Sequence, residues 1–135
     1  MRELTAFAAT LAKAGSSSYA SHRSLVLGIG LAAGVLLVAL GIPLALRRVA
    51  PNRWYGLRAA LAYESESKWF RANRILGRYV IVAGVITIAG TLLIWIAKPA
   101  ALSSSNKTLA LVEFAIIVIP AAVAYVAAYS KLKDA

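Results

Sequence analysis

Cysteine is absent, histidine occurs once as His22, and only 5 of the 135 residues are acidic. Without cysteine there is no disulfide, thiol nucleophile or thiolate metal site. A single histidine leaves a zinc hydrolase without a ligand set. The acids face 15 Lys and Arg, for a net charge of +10 and a pI of about 10.4. Polar side chains are scarce as well: 61% of the residues are hydrophobic and the mean hydropathy is +0.75. A nucleic-acid-binding domain would share the charge but would have to hide that much apolar surface from water. A disordered basic tail would lack the apolar content. Nucleic acid is therefore set aside as a partner. The composition describes a small integral membrane protein whose charge lies outside the hydrocarbon.

Three apolar runs are long enough to cross a bilayer, at about 20 residues per helical span. Residues 25–46 and 79–97 carry no charge, and residues 109–129 carry only Glu113. All three are expected to be helices, because an isolated strand would leave its backbone unpaired in lipid. The fold class expected is all-α, with a tail over residues 1–22, a three-helix membrane domain over 23–135 and a long connecting loop over 47–78. In the tail, Leu4, Phe7, Ala8 and Leu11 recur with helical spacing and predict a short amphipathic helix ending near Gly15, lying on the membrane surface. No continuous apolar stretch resembling a signal peptide precedes the first span. Residues 99–107 read as a short turn.

The loop holds 8 of the 15 positive charges and Lys131 and Lys133 follow the last span, leaving Arg2, Lys13, Arg23, Lys98 and Lys107 on the other side. The excess of basic residues places the loop and the C-terminus in the cytoplasm and the N-terminus outside. In a bacterium that corresponds to the inner membrane.

The loop is patterned beyond what a connector needs. Pro51-Asn52 is a turn signal and Gly56 supplies backbone freedom. Trp54 and Tyr55, beside Arg47, Arg48, Arg53 and Arg58, suit the headgroup layer. From Ser65, a potential N-cap, the pattern turns helical. Trp69, Ala72, Asn73 and Leu76 share one face, and Arg71, Arg74 and Arg78 share the other with Glu64 and Ser67. Glu64 and Lys68 are spaced for a helical ion pair. This predicts an amphipathic helix at the cytoplasmic interface, with Arg71, Arg74 and Arg78 toward anionic lipid phosphates at about 1 kcal/mol per charge. Asn73 interrupts its apolar stripe, and an amide there is placed to bond a neighbouring backbone such as the Pro51–Arg58 turn. Continued without a break, the stripe passes through Gly77, Gly84, Thr87 and Thr91, small and hydroxyl residues that suit close helix packing.

The arrangement Pro51-Asn52-x-x-x-Gly56-x-Arg58, followed by Trp69-x-x-x-Asn73-Arg74-x-x-Gly77, resembles the signature of the SdpI family, bacterial membrane proteins named for an immunity protein against a peptide toxin. The resemblance covers residues 36–97. It departs at Ala59, where the family has Thr, and at Ala60–Tyr63, which replaces a Pro-Trp-Thr stretch. It implies a non-enzymatic membrane protein acting in resistance to a membrane-active peptide or in membrane signalling. It also implies that Pro51, Asn52, Gly56, Arg58, Trp69, Asn73, Arg74 and Gly77 are the motif residues.

Glu113 is the one ionisable residue inside a span, which makes it a functional hypothesis by position. It lies near the outer end of the third run and is expected to be structural, reaching the external interface or pairing with Lys107 or Lys98. Gly30 and Gly34 form a small-xxx-small pair that permits close contact within the bundle or with another helix. The alternative reading is therefore an accessory subunit of a larger membrane complex, docked through Gly30/Gly34 and Gly84/Thr91. A homo-oligomer is the other assembly expected. The string Gly56-Leu57-Arg58-Ala59-Ala60 is similar to a stretch of bacterial diacylglycerol kinase. Phosphoryl transfer needs carboxylate-held Mg²⁺, and the second span has no acid. No catalytic residue, metal or cofactor is expected.

Overall fold

The computed structural model describes residues 2–97 and 106–133. They form four helices: α1 (Arg2–Ala45), α2 (Ala60–Tyr63), α3 (Glu66–Ala97) and α4 (Asn106–Lys133). α1, α3 and α4 are each long and apolar enough to cross a membrane. Their outward faces are covered by large apolar side chains such as Leu36, Leu93, Leu111 and Val126. A solvated monomer would not leave so broad an apolar belt open, whereas acyl chains cover it without cost.

One expectation about helix boundaries is corrected. The tail helix does not end near Gly15: α1 is one helix of 44 residues running through Gly15 and Ser16–Ser18 into the first span. A helical glycine costs about 1 kcal/mol, and an established span propagates a helix more readily than a short peptide nucleates one. The side chains of Leu4, Phe7, Ala8 and Leu11 lie outside the described residues. The amphipathic stretch of the loop forms the first turns of α3, which continues unbroken through Gly77 to Ala97. At about 1.5 Å per residue, those 32 residues exceed the roughly 30 Å of hydrocarbon by several turns. Most of the 99–107 turn lies outside the described residues, and α4 already begins at Asn106.

Helix ends are closed by specific groups. Ser65 Oγ accepts from Lys68 N at 3.2 Å, capping α3 as the sequence suggests. At the other end of α3, the Arg23 guanidinium donates to Ile94 O at 3.2 Å, satisfying one of the last carbonyls with a positive charge. α1 ends in a Schellman turn. Arg47 takes φ +58°, its N donates to Leu44 O at 3.2 Å, and Arg48 N donates to Pro43 O at 2.9 Å.

The spans pack through glycine. α1 and α3 run antiparallel, with Gly34 against Gly84 and Gly41 against Gly77. A Cβ added to Gly84 would lie 2.7 Å from Gly34 O, and one added to Gly41 would lie 2.8 Å from Gly77 O. Backbone thus meets backbone, and any side chain would separate the helices. α4 packs on α3 through Thr87, whose Oγ1 lies 3.0 Å from Ala83 O and 3.2 Å from Ile116 O. Ile116 O is the carbonyl that Pro120, four residues on and lacking an N–H, leaves without its helical donor. The Thr87 hydroxyl supplies the replacement. At the loop end, Leu44, Leu57, Ala62, Trp69, Ala72, Leu76, Ala128 and Leu132 form one buried cluster drawn from all four helices and the connecting turn.

Candidate functional site

The segment between α1 and α3 folds into a compact element held by side-chain-to-backbone bonds. After Pro51 the chain turns around Asn52, whose Oδ1 accepts from Trp54 N at 2.9 Å and Tyr55 N at 2.7 Å. Its Nδ2 donates to Ala50 O at 2.9 Å. Asparagine suits this place because its short amide closes a local turn in place of a backbone carbonyl. The Tyr63 hydroxyl donates to Asn52 O at 2.8 Å, and the Trp69 indole N–H donates to Val49 O at 2.9 Å. The Tyr63 and Trp69 rings pack with centroids 5.0 Å apart. Together they fasten both sides of the turn to the start of α3.

Asn73 closes the element from beneath. It is 1% exposed, accepts from Leu57 N through Oδ1 at 2.7 Å, and donates from Nδ2 to Trp69 O at 3.0 Å. The residue that interrupts an apolar stripe in sequence therefore bonds the backbone of the turn. Gly56 stands directly over it with φ +121°, and a Cβ there would collide with the Asn73 amide. Both conditions require glycine. Gly77 lies one turn below, where the α1 backbone leaves no room for a side chain.

Around this interior the polar rim is open. Trp54 is 88% exposed, and the neighbouring Arg58 guanidinium donates to Trp54 O at 3.0 Å. The Tyr55 hydroxyl donates to Leu40 O, and its partial burial raises its pKa above the usual tyrosine value. Glu64 and Lys68 pair on the exposed first turn. Arg71 and Arg78 are exposed and Arg74 is half-buried, on the face of α3 opposite Asn73. Their face borders a cavity whose wall also includes Arg47 from the end of α1.

Glu113 corrects its sequence reading. It is turned into the bundle and is not paired with Lys107: it is 2% exposed, packed between the spans, and it accepts from the Thr91 hydroxyl through Oε1. Lys98 lies outside the described residues. Gly30 faces the same carboxylate, and a Cβ there would fit only if the side-chain ends of Glu113 and Thr91 moved away. Glu113 Oε2 has no hydrogen-bond partner. Counting inward from the end of the apolar run gives the depth of Glu113 but not its direction, which only the assembled bundle reveals.

Gly30, Gly34, Gly84, Thr87 and Thr91 are all engaged within the chain, so the faces through which an accessory subunit was expected to dock are already filled. Among the described residues no three His, Asp or Glu side chains gather as a metal site would require. Sequence reasoning missed the Schellman turn at Arg47, because arginine is not the usual residue there. It also missed the Thr87–Ile116 bond, for which the position of Pro120 was an available signal.

The sequence profile of the SdpI/YfhL protein family matches residues 48–128. The match covers the turn, α2, α3 and most of α4, and so includes both partners of every hydrogen bond described for Asn52 and Asn73. No curated protein and no solved structure matches the chain.

Proposed function

The chain belongs to the SdpI/YfhL protein family, and from that membership we propose that it is a non-enzymatic protein of the bacterial inner membrane that protects the cell against a membrane-active peptide. The observation that supports this most directly is the division of labour within the motif. Asn52, Gly56, Trp69 and Asn73 are spent on folding the turn, while Arg58 and Trp54 stand outward at its rim. An exposed guanidinium beside an exposed indole suits contact with a peptide or another protein at the headgroup layer. The distribution of Lys and Arg supports a cytoplasmic position for that rim and for the C-terminus.

The test is a deletion strain challenged with a panel of secreted antimicrobial peptides. Loss of the protein should raise sensitivity to at least one of them. Arg58→Ala and Trp54→Ala should fail to restore resistance while accumulating to wild-type level. An unchanged sensitivity profile across the panel would defeat the proposal. A reporter fused after Lys133 should be active only on the cytoplasmic side.

A further inference from the structure

At the loop end of the bundle, a cavity of about 470 Å³ opens between the end of α1 and the outer face of α3. Its wall carries four guanidiniums, Arg47, Arg71, Arg74 and Arg78, and no carboxylate. Among the described residues none of the four has a hydrogen bond or ion pair, and the one salt bridge, Glu64–Lys68, lies elsewhere on the surface. Arg71, Arg74 and Arg78 recur at helical spacing along one face of α3. Arg47 reaches the same cavity from another helix because the Schellman turn holds it at positive φ. Phe70 and Ile75 supply apolar wall. A smaller recess shares Arg47 and Arg74 with the cavity and is also lined by Leu46, which is exposed among the lipid-facing residues.

We infer that this cavity is a binding site for a lipid headgroup carrying two phosphate groups. Guanidinium pairs phosphate oxygens in a bidentate fork, and four gathered guanidiniums match more negative charge than one phosphodiester carries. The apolar wall and the exposed Leu46 beside it favour an amphiphile over a soluble anion. A diphosphatidyl lipid and an isoprenoid diphosphate share this chemistry. The inference rests on the arginine geometry and does not depend on the peptide-resistance reading.

The test uses the full chain in phosphatidylcholine nanodiscs. It compares retention of diphosphatidylglycerol, of phosphatidylglycerol at matched total charge, and of farnesyl diphosphate, with inorganic pyrophosphate as competitor. Native mass spectrometry should show one paired-phosphate lipid retained at least ten-fold more strongly than phosphatidylglycerol. Arg71→Gln and Arg74→Gln should each weaken retention on the order of five-fold. Lys131→Gln with Lys133→Gln, which removes charge outside the cavity, should leave retention unchanged. Diphosphatidylglycerol or farnesyl diphosphate, whichever is retained more strongly, identifies the lipid source. Pyrophosphate binding without lipid binding would overturn the inference, as would equal retention of phosphatidylglycerol or equal loss in the lysine variant. Arg47→Gly separates folding from binding, because it relieves the positive-φ strain while removing a guanidinium. Its thermal midpoint should match or exceed wild type while lipid retention falls.

Discussion

Two buried polar side chains in this protein meet a glycine on another segment, and their surroundings satisfy them unequally. Asn73 lies under Gly56 at the loop end and uses both ends of its amide, on Leu57 N and Trp69 O. Glu113 lies against Gly30 between the spans, accepts one hydroxyl proton from Thr91, and leaves Oε2 without a partner. The difference follows from where free backbone groups exist. A turn folded onto a helix has N–H groups that no ladder claims, and Asn73 takes one. Within the spans the helices consume their own backbone N–H groups, so the Glu113 carboxylate must find its donor on another side chain. The loop end is consequently built as a closed clasp, while the span interior retains unmet polar capacity.

The sharpest way to break this comparison is Gly56→Ala, which forces a Cβ into positive φ and displaces the Asn73 amide. It should cost about 3 kcal/mol, combining the left-handed penalty with overpacking, read as the unfolding midpoint in detergent. Asn73→Leu comes next at about 2 kcal/mol, because Leu57 N–H is left buried and unpartnered. Gly30→Ala should cost about 1 kcal/mol: the new methyl meets only the flexible ends of Glu113 and Thr91, which can swing aside. If it costs as much as Gly56→Ala, the span contact is as rigid as the clasp and the contrast fails. Glu113→Gln should change stability least, within about 0.5 kcal/mol or slightly upward, since it keeps the acceptor toward Thr91 and removes an ionisable group from a buried site.

The clasp should also show in the pH profile. Burial raises the Tyr55 pKa, so the folded state holds that proton more tightly than the unfolded chain does. Its contribution is complete below the ordinary tyrosine value of about 10 and declines as pH rises above it. In an absorbance titration, Tyr55→Phe should remove a tyrosine component that titrates above the ordinary value.

Much of this was legible in residue order. Charge-free runs located the spans, because a bilayer admits few alternatives to an apolar helix. Asn73 betrayed its role by breaking a stripe of otherwise apolar residues, and the positions of Gly56 and Gly77 marked where backbone had to approach. The length of α1 was not legible: Gly15 carries a local signal for a stop, which propagation from the span overrode. Nor was the partner of the Trp69, Ala72 and Leu76 stripe, which packs against the turn rather than lipid. Nor was the direction of Glu113, which depends on how three helices are rotated about one another.

The bond from Thr87 to Ile116 O bears on how the molecule is made. Entering the bilayer alone, α4 would bring a bare carbonyl created by its own Pro120, an unfavourable state in hydrocarbon. The hairpin of α1 and α3, joined by paired glycines, can settle first: the carbonyl freed by its own proline, Ala39 O below Pro43, lies within two turns of the loop end of α1, whereas Ile116 lies mid-span. Thr87 then waits on its surface as the docking point for the last helix. Insertion acquires an order, with the first two spans acting as template and the third as the segment whose residence in the membrane depends on them.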